Sequence, residues 1–133
     1  MPFSPGVDRI VTELDFIRLH KLGTSHMPEG FPDVLELAEQ VTSPTVPPDV
    51  VTMYSQIDVL EAGADRPRRL TLCYPQDAEP AQGFISVLSP LGASLLGLRV
   101  GARARWRTPQ GEQRQARVLA ILFQPEASGD YTT

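Results

Sequence analysis

The spacing of apolar residues changes at a proline-rich stretch, Pro44 to Pro48. Before the prolines, apolar residues recur every three or four positions, as they do along one side of a helix. After the prolines they alternate with polar residues, as they do in strands with one buried face. The 133 residues suffice for one ordinary domain, or for a small domain with an appendage. These observations predict an α+β fold, with a helical segment at 1–43 and a sheet domain at 44–133.

The first helix is predicted to start at Ser4 and Pro5, which have the form of an N-cap and a first helical residue. Lys21, shortly before Gly23, is a suitable end. Apolar residues at alternating three- and four-residue steps would lie along one side of this helix. They are Val7, Ile10, Leu14 and Ile17.

A second helix is predicted from Asp33, because Asp-Val-Leu-Glu has the form of a capping box with Asp33 as the N-cap. The apolar stripe of this helix consists of Phe31, Val34, Leu35, Ala38 and Val41. The loop at 24–30 is short and rich in turn residues, so we expect the two helices to form an antiparallel hairpin with this loop at its tip. Glu29 and Asp33 would lie near that tip.

The C-terminal segment is predicted to form an antiparallel sheet with one short helix. Residues 69–74 and 83–88 have the pattern of strands. Ser89 and Pro90 supply an N-cap and a first helical residue, and Gly97 supplies the end of this helix.

A β-hairpin is predicted from residues 103–107 and 114–123, which flank the turn sequence at 108–111. A two-residue turn would place Trp106 on the face of three apolar residues of the second strand, Leu119, Ile121 and Phe123. A slip of one residue would reverse this assignment.

The charge of the chain is distributed unevenly. Up to Ser43 there are three basic residues against seven acidic ones, whereas nine arginines balance nine carboxylates in the remainder. The acidic segment argues against contact with a nucleic-acid backbone and favours a basic or metal-containing partner. Alternate arginines in the hairpin form a basic stripe, which suits a solvated face, RNA or an acidic protein, so direct nucleic-acid binding stays open. They are Arg103, Arg105 and Arg107.

Other signals restrict the class of protein. There is no apolar run of about 18 residues and no signal-peptide pattern at the start, so we expect a cytoplasmic protein without membrane attachment. Cys73 is the only cysteine, and His20 and His26 lack the spacing of a helical metal site. No serine elbow or phosphate-binding glycine loop is present. We therefore expect no enzyme activity, no metal site and no cofactor.

Three stretches are more specific than their apolar periodicity alone: Val46–Ser55, Tyr74–Gly92 and Gln124–Tyr131. Together they resemble the bacterial family called regulator of nucleoside diphosphate kinase. That family is similar in its C-terminal domain to the transcript-cleavage factors GreA and GreB, whose domain has an FKBP-like fold. The resemblance covers roughly Val46 to Tyr131 and implies the same fold here.

The resemblance also implies a partner, bacterial RNA polymerase, bound at the rim of its secondary channel. The element that corresponds to the rim-binding turn of the Gre factors is Ile85–Pro90, in which Leu88 stands where those factors have an aspartate. Leu88, Ser89 and Pro90 are therefore candidate partner-binding residues. The rim contact should be more apolar here.

In the Gre factors, the tip of a long helical hairpin delivers carboxylates to the catalytic magnesium of the polymerase. Glu29 and Asp33 are the only candidates for such a pair, but Glu29 as a solubilising loop carboxylate and Asp33 as a helix cap account for them without a metal, and we favour that explanation. A helix of about 15 residues rises only ~22 Å, so we expect no transcript-cleavage activity. Because the resemblance implies binding at the same secondary channel, we also expect competition with Gre-type factors. Two other interpretations stay open, an FKBP-like peptidyl-prolyl isomerase and an interaction module for another protein.

Overall fold

The computed structural model describes residues 9–23 and 25–131 of the chain. Three helices and seven strands form an α+β arrangement within these residues. In chain order they are β1 (Ile10–Thr12), α1 (Glu13–Lys21), α2 (Phe31–Leu37), β2 (Glu39–Val41), β3 (Gln56–Glu61), β4 (Arg68–Cys73), β5 (Phe84–Ser86), α3 (Pro90–Leu95), β6 (Arg103–Arg107) and β7 (Gln113–Phe123). Across these described ranges, every helix is too short or too polar to cross a membrane.

The first helix starts later than predicted. Residues Ile10–Thr12 form β1 and α1 begins at Glu13, so the prediction that Ile10 is helical is wrong, while Ser4 and Pro5 lie outside the described residues. The cause is pairing of the β-branched run with β2, in parallel, with Ile10 opposite Glu39. The Thr12 hydroxyl then accepts a hydrogen bond from the Asp15 N–H at 3.0 Å and caps α1.

The buried face of α1 also differs from the predicted stripe. Ile17 is 51% exposed, whereas Leu19 and Asp15 are buried. The predicted stripe depended on Val7 and Ile10, and a helix that begins at Glu13 no longer includes them. The buried side chains of α1 are therefore those of Asp15 and Leu19, which lie four residues apart, and one of them is a carboxylate.

The second helix begins at Phe31, with Gly30 as its N-cap at φ 88°, so the prediction of Asp33 as the N-cap is wrong. Pro32 lies in the first turn, where its missing N–H costs no hydrogen bond. The helix begins at Phe31, whose ring is buried in the core. Asp33 instead adds a favourable negative charge to the first turn. At nine and seven residues, α1 and α2 rise about 13 and 10 Å, well short of the expected helix, and their antiparallel orientation stays a prediction.

The main sheet has five strands in the order β5-β4-β3-β7-β6. All neighbours are antiparallel except β4 and β5, which run parallel and so correct the expectation of a purely antiparallel sheet. Between these two strands, short 3-10 turns at Pro75–Asp77 and Pro80–Gln82 carry the chain back to the level of Thr71, within β4. The helix α3 follows with the predicted Ser89 cap, and Gly97 has φ 82°, as a left-handed helix end requires.

The β6–β7 hairpin is confirmed, but the face assigned to Trp106 is only partly right. Ala104 lies opposite Ala116, which places Trp106 on the side of the buried Ala116 and Val118. After Val118, register shifts between β3 and β7 change which residues of β7 face the core. Ile121 returns to the core side, whereas two of the predicted neighbours are exposed, Leu119 at 38% and Phe123 at 47%.

One core joins the two sides of the predicted boundary at residue 44. From the N-terminal side it contains Leu19, Phe31, Val34 and Leu35. From the sheet side it contains, among others, Ile57, Leu72, Ile85 and Leu95. The helical segment therefore packs on the sheet domain and contributes to the same interior.

Candidate functional site

The turn between β5 and α3 is held by four short hydrogen bonds. The Ser89 hydroxyl donates to the Ser86 carbonyl at 2.7 Å and accepts from the Gly92 N–H at 3.0 Å. The Ser86 carbonyl also accepts from the Ser89 N–H at 3.0 Å, and the Ser86 hydroxyl accepts from the Leu88 N–H at 3.0 Å. Pro90 fixes the next backbone dihedral. These four bonds and the proline together restrict the backbone of the turn.

Gly92 allows α3 to start directly on this turn. A Cβ at residue 92 would lie 2.0 Å from the Ser86 carbonyl oxygen, which is far inside van der Waals contact. Every larger residue at this position would push the helix away from the turn. The close approach explains why a glycine stands inside the first turn of a helix.

Leu88 is half-buried and packs against the margin of the main core. It is thus neither fully exposed nor fully buried. Ser89 and Pro90 are also half-buried. The three predicted partner-binding residues lie together on one rigid turn, and part of each remains accessible.

A groove of about 520 Å³ opens beside the turn. Its walls are α3, strand β6 and the loop that precedes α2. Pro90 and Glu29 both line it, so the structure brings together one candidate from the turn and one from the predicted hairpin tip. Asp33 is exposed on α2 and is not among the groove-lining residues.

The groove has a basic lining, with Arg9, Arg105 and Arg107 against Glu29. Arg9 is buried, and its guanidinium donates to the carbonyls of Ala93 at 3.2 Å and Leu96 at 2.9 Å. These carbonyls lie at the C-terminal end of α3, where a cation is favourable. Sequence reasoning missed this role, because no local signal indicates partners 84 and 87 residues away.

A second residue that sequence reasoning missed is Asp15. Its carboxylate is buried and accepts a hydrogen bond from the Met53 N–H at 3.2 Å. The pKa of Asp15 is raised to about 6, chiefly by burial and also by the nearby Glu126 carboxylate, against the lowering effect of the Met53 bond. Glu126 is itself tied to the Thr52 hydroxyl at 2.7 Å. Two carboxylates therefore meet around the segment at 52–53.

Three aromatic residues of the sheet domain that could line an isomerase pocket, Trp106, Phe84 and Phe123, lie apart. Trp106 lines the groove. Phe84 pairs with Thr71, which pairs with Gln56, which pairs with Phe123, so the two phenylalanines lie at the ends of one row across the sheet. Both are more than a third exposed, on the face away from α3. The arrangement gives no support to an aromatic-lined substrate pocket.

Comparison with known proteins identifies similar sequences and structures. Residues 46–123 match the family model described as transcription elongation factor, GreA/GreB, C-terminal. The regulator of nucleoside diphosphate kinase of Escherichia coli strain K12 is 35% identical over 128 residues, which cover 92% of this chain and 94% of that protein. GreA of Solidesulfovibrio magneticus is 38% identical over 63 residues, 47% of this chain and 38% of that protein. A solved prokaryotic transcription elongation factor GreA/GreB from Nitrosomonas europaea superimposes with a TM-score of 0.73 at 32% identity, over 90% of this chain and 100% of that one.

Proposed function

Because this chain belongs to the family that carries the GreA/GreB C-terminal domain, we propose that it is a transcription regulator that binds RNA polymerase at the rim of the secondary channel. It does not stimulate transcript cleavage, and it competes there with Gre-type factors. The match covers residues 46–123 and so includes the whole turn from Ser86 to Pro90. Similarity to the regulator of nucleoside diphosphate kinase over 92% of the chain extends the support to the N-terminal segment.

The observation that carries the proposal is the rigid turn with its half-buried leucine. Four hydrogen bonds among Ser86, Leu88, Ser89 and Gly92 fix its shape. A preformed loop loses little conformational freedom on binding, so its contacts contribute more of their free energy to affinity. The accessible part of Leu88 gives the turn an apolar contact at its centre. Ser89 and Pro90 hold that contact in place.

The short helices support the absence of cleavage activity. Delivery of carboxylates to a distant magnesium ion requires an extended arm, and α1 and α2 have only nine and seven residues. Glu29 lines a groove on the body of the protein, close to Trp106 and α3. We propose that Glu29 and Asp33 contact the polymerase through their exposed charges and do not hold its metal.

The two alternatives differ from this proposal in what they predict for binding. An interaction module for another protein would leave polymerase unbound. A peptidyl-prolyl isomerase would require an aromatic pocket, which the separation of Trp106 from Phe84 and Phe123 does not favour. The FKBP-like classification of the sheet domain stays a prediction, and fold alone does not imply that activity.

A competition experiment tests the proposal. Backtracked elongation complexes are treated with GreB at its half-maximal concentration, and this protein is added in increasing amounts. We expect cleavage to fall to the background rate with a saturable dose dependence, and we expect this protein alone to give only background cleavage. Undiminished cleavage at a large excess of this protein would exclude occupancy of the secondary channel. Direct binding of labelled protein to core polymerase separates failure to bind from binding elsewhere.

A further inference from the structure

A second cavity, which we call the tyrosine hollow, lies between the end of α1 and the 3-10 turn that follows β4. Its volume is about 480 Å³, which suits one small organic ligand. The helix contributes Arg18, Lys21 and Leu22 to its walls, and the sheet domain contributes two tyrosines, Tyr54 and Tyr74, with the side chains of the turn. Among the described residues, none lines both this hollow and the groove beside α3.

Tyr54 has an unfavourable backbone conformation. Its φ is 65°, and it is the only residue other than glycine with a positive φ in the part of the chain that the structure describes. Glycine adopts this left-handed region freely, whereas a side chain makes it costly. The Tyr54 N–H donates to the Leu72 carbonyl at 2.6 Å and so helps to hold the backbone in place. Strain of this kind is typical of positions whose side chain has a functional role.

The ring of Tyr54 is held at both ends. Its hydroxyl donates to the Asp77 carboxylate, and its centroid lies 5.8 Å from that of the Tyr74 ring, with 56° between the two planes. Tyr74 is buried and Tyr54 is half-buried, so the accessible aromatic surface of the hollow belongs to Tyr54. Burial and the Asp77 carboxylate raise the pKa of Tyr54 to about 12, so the phenol stays neutral.

Lys21 supplies an accessible positive charge. It is exposed at the end of α1, and it is the only lysine of the chain. An ammonium group binds phosphate oxygens as a compact charge. Arg18 lies deeper, where it opposes the rise in the pKa of Tyr74 that burial and the Asp15 carboxylate cause. We therefore assign the contact with an anionic ligand to Lys21.

We propose that the tyrosine hollow binds a free nucleotide, with its base against the Tyr54 ring and its phosphate on the Lys21 ammonium. Aromatic side chains stack on bases of every kind, because each base has a π-face. The Asp77 carboxylate accepts from the Tyr54 hydroxyl and has the capacity to accept from a ribose hydroxyl as well. The amide of the exposed Gln76 can bond to the polar edge of the base. A nucleotide uses all four side chains at once.

A nucleic-acid strand fits this hollow less well than a single nucleotide does. The chain has a net charge of −4, and two carboxylates, Glu13 and Asp15, lie in the first turn of the same helix. A polyanion would be repelled by this charge over its whole length, whereas one nucleotide brings only its own phosphate. Inorganic phosphate could use Lys21 but would leave the Tyr54 ring uncovered. The combination of ring, ammonium and carboxylate therefore favours a free nucleotide.

Titration calorimetry of the full chain with adenosine 5′-monophosphate tests the proposal, in magnesium-free buffer at low salt. We expect saturable binding at one site with a Kd below about 1 mM. Inorganic phosphate should bind at least about tenfold more weakly, because it lacks the stacked base. Absence of saturable binding would overturn the proposal, and equal affinity for inorganic phosphate would reduce the hollow to a simple anion site. A short single-stranded RNA that binds more tightly per site than the nucleotide would assign the hollow to nucleic acid and overturn it as well.

Substitutions at residues 21 and 54 test the two contacts separately. Lys21→Gln should raise the Kd at least about tenfold through loss of a charge-assisted bond. Arg66→Gln is its matched control, an exposed cation between β3 and β4 outside the hollow, and should leave the Kd unchanged. Equal Kd values for these two variants would overturn the role of Lys21.

Tyr54→Gly removes the ring and also relieves the backbone, so saturable binding should disappear from a protein that still folds, as circular dichroism would show. Tyr54→Phe keeps the ring and loses only the bond to Asp77, so its Kd should stay within about threefold of the parent value. Loss of binding in Tyr54→Phe as complete as in Tyr54→Gly would overturn stacking on the ring. Full affinity in Tyr54→Gly would overturn it as well.

Discussion

The Asp15 carboxylate accepts a hydrogen bond from the Met53 N–H at 3.2 Å and so joins α1 to the segment that leads into the main sheet. The contact spans 38 residues and is buried. It places an ionisable group inside the shared core, and its protonation therefore affects the stability of the whole protein.

We expect Asp15 to make stability fall as the pH rises from about 4 to about 6. The pKa of Asp15 rises from 3.8 to about 6 on folding, so the folded state holds the proton more tightly than the unfolded state. Its stabilising contribution is complete below the lower pKa and is lost as the pH passes the upper one, a difference of about 3 kcal/mol. Chemical denaturation across this range measures it. Asp15→Asn should remove this part of the pH dependence.

The matched control for Asp15 is Glu13→Gln, which removes an exposed carboxylate from the first turn of the same helix. Its free energy of unfolding should follow the pH dependence of the parent protein. If the curves of Asp15→Asn and the parent protein run parallel between pH 4 and pH 7, Asp15 does not titrate in the folded state as described.

Leu88→Ala should weaken polymerase binding by a factor of about 5 to 30, which corresponds to loss of an apolar anchor worth ~1 to 2 kcal/mol. Because Leu88 is half-buried, we also expect it to lower the free energy of unfolding by about 1 kcal/mol. Surface-immobilised core polymerase and thermal denaturation measure the two effects separately.

Leu91→Ala controls for the loss of packing. Leu91 is another partly buried leucine that packs against the same core, three residues further along the chain. It should lose similar stability and keep full affinity for polymerase. Equal affinities for the two variants would remove Leu88 from the interface and leave the contact to Ser89 and Pro90.

Neither Glu29→Gln nor Asp33→Asn should alter transcript cleavage, because the unmodified protein is expected to stimulate none. Both residues are exposed, so the variants should fold normally. Cleavage of backtracked complexes, followed on denaturing gels, measures this. Robust cleavage by the parent protein that either substitution abolishes would restore the role of these carboxylates at the catalytic magnesium.

Gly92→Ala should destabilise the protein by about 3 kcal/mol or more, because the new Cβ would lie 2.0 Å from the Ser86 carbonyl oxygen. The comparison is Gly101→Ala, where φ is 92° but nothing lies within 4 Å of the new atom. That substitution pays only for its backbone conformation, about 1–2 kcal/mol. Similar losses at the two positions would show that α3 can move away from the turn at little cost.

The features that sequence reasoning predicted correctly depend on neighbouring residues. Ser89, Pro90 and Gly97 lie within nine positions of each other and determine both ends of α3. The strand at Ile10–Thr12 depends instead on parallel pairing with residues 39–41, which local periodicity does not reveal. The start of α2 moved to Phe31 because the core buries that ring, which a local capping pattern at Asp33 cannot indicate.

In the candidate site, too, the features that depend on neighbouring residues were predicted and those that depend on distant residues were not. The composition of the turn was evident from Leu88, Ser89 and Pro90, but the groove beside it was not. Pro90, Glu29 and Trp106 come from three distant parts of the chain and meet only through packing. The stripe of arginines was evident as well, whereas its place at the edge of the sheet follows from the strand order.

The bond from Arg9 to the end of α3 also determines the order of events during synthesis. Its acceptors, the carbonyls of Ala93 and Leu96, are made 84 and 87 residues after Arg9. At 5–20 residues per second, the ribosome needs roughly 4 to 17 s to reach them. During that interval β1 and α1 have no complete core to join, and the carbonyls of Ala93 and Leu96 are not yet available to Arg9. The segment of β1 and α1 therefore leaves the ribosome well before α3 and yet is among the last to reach its final place.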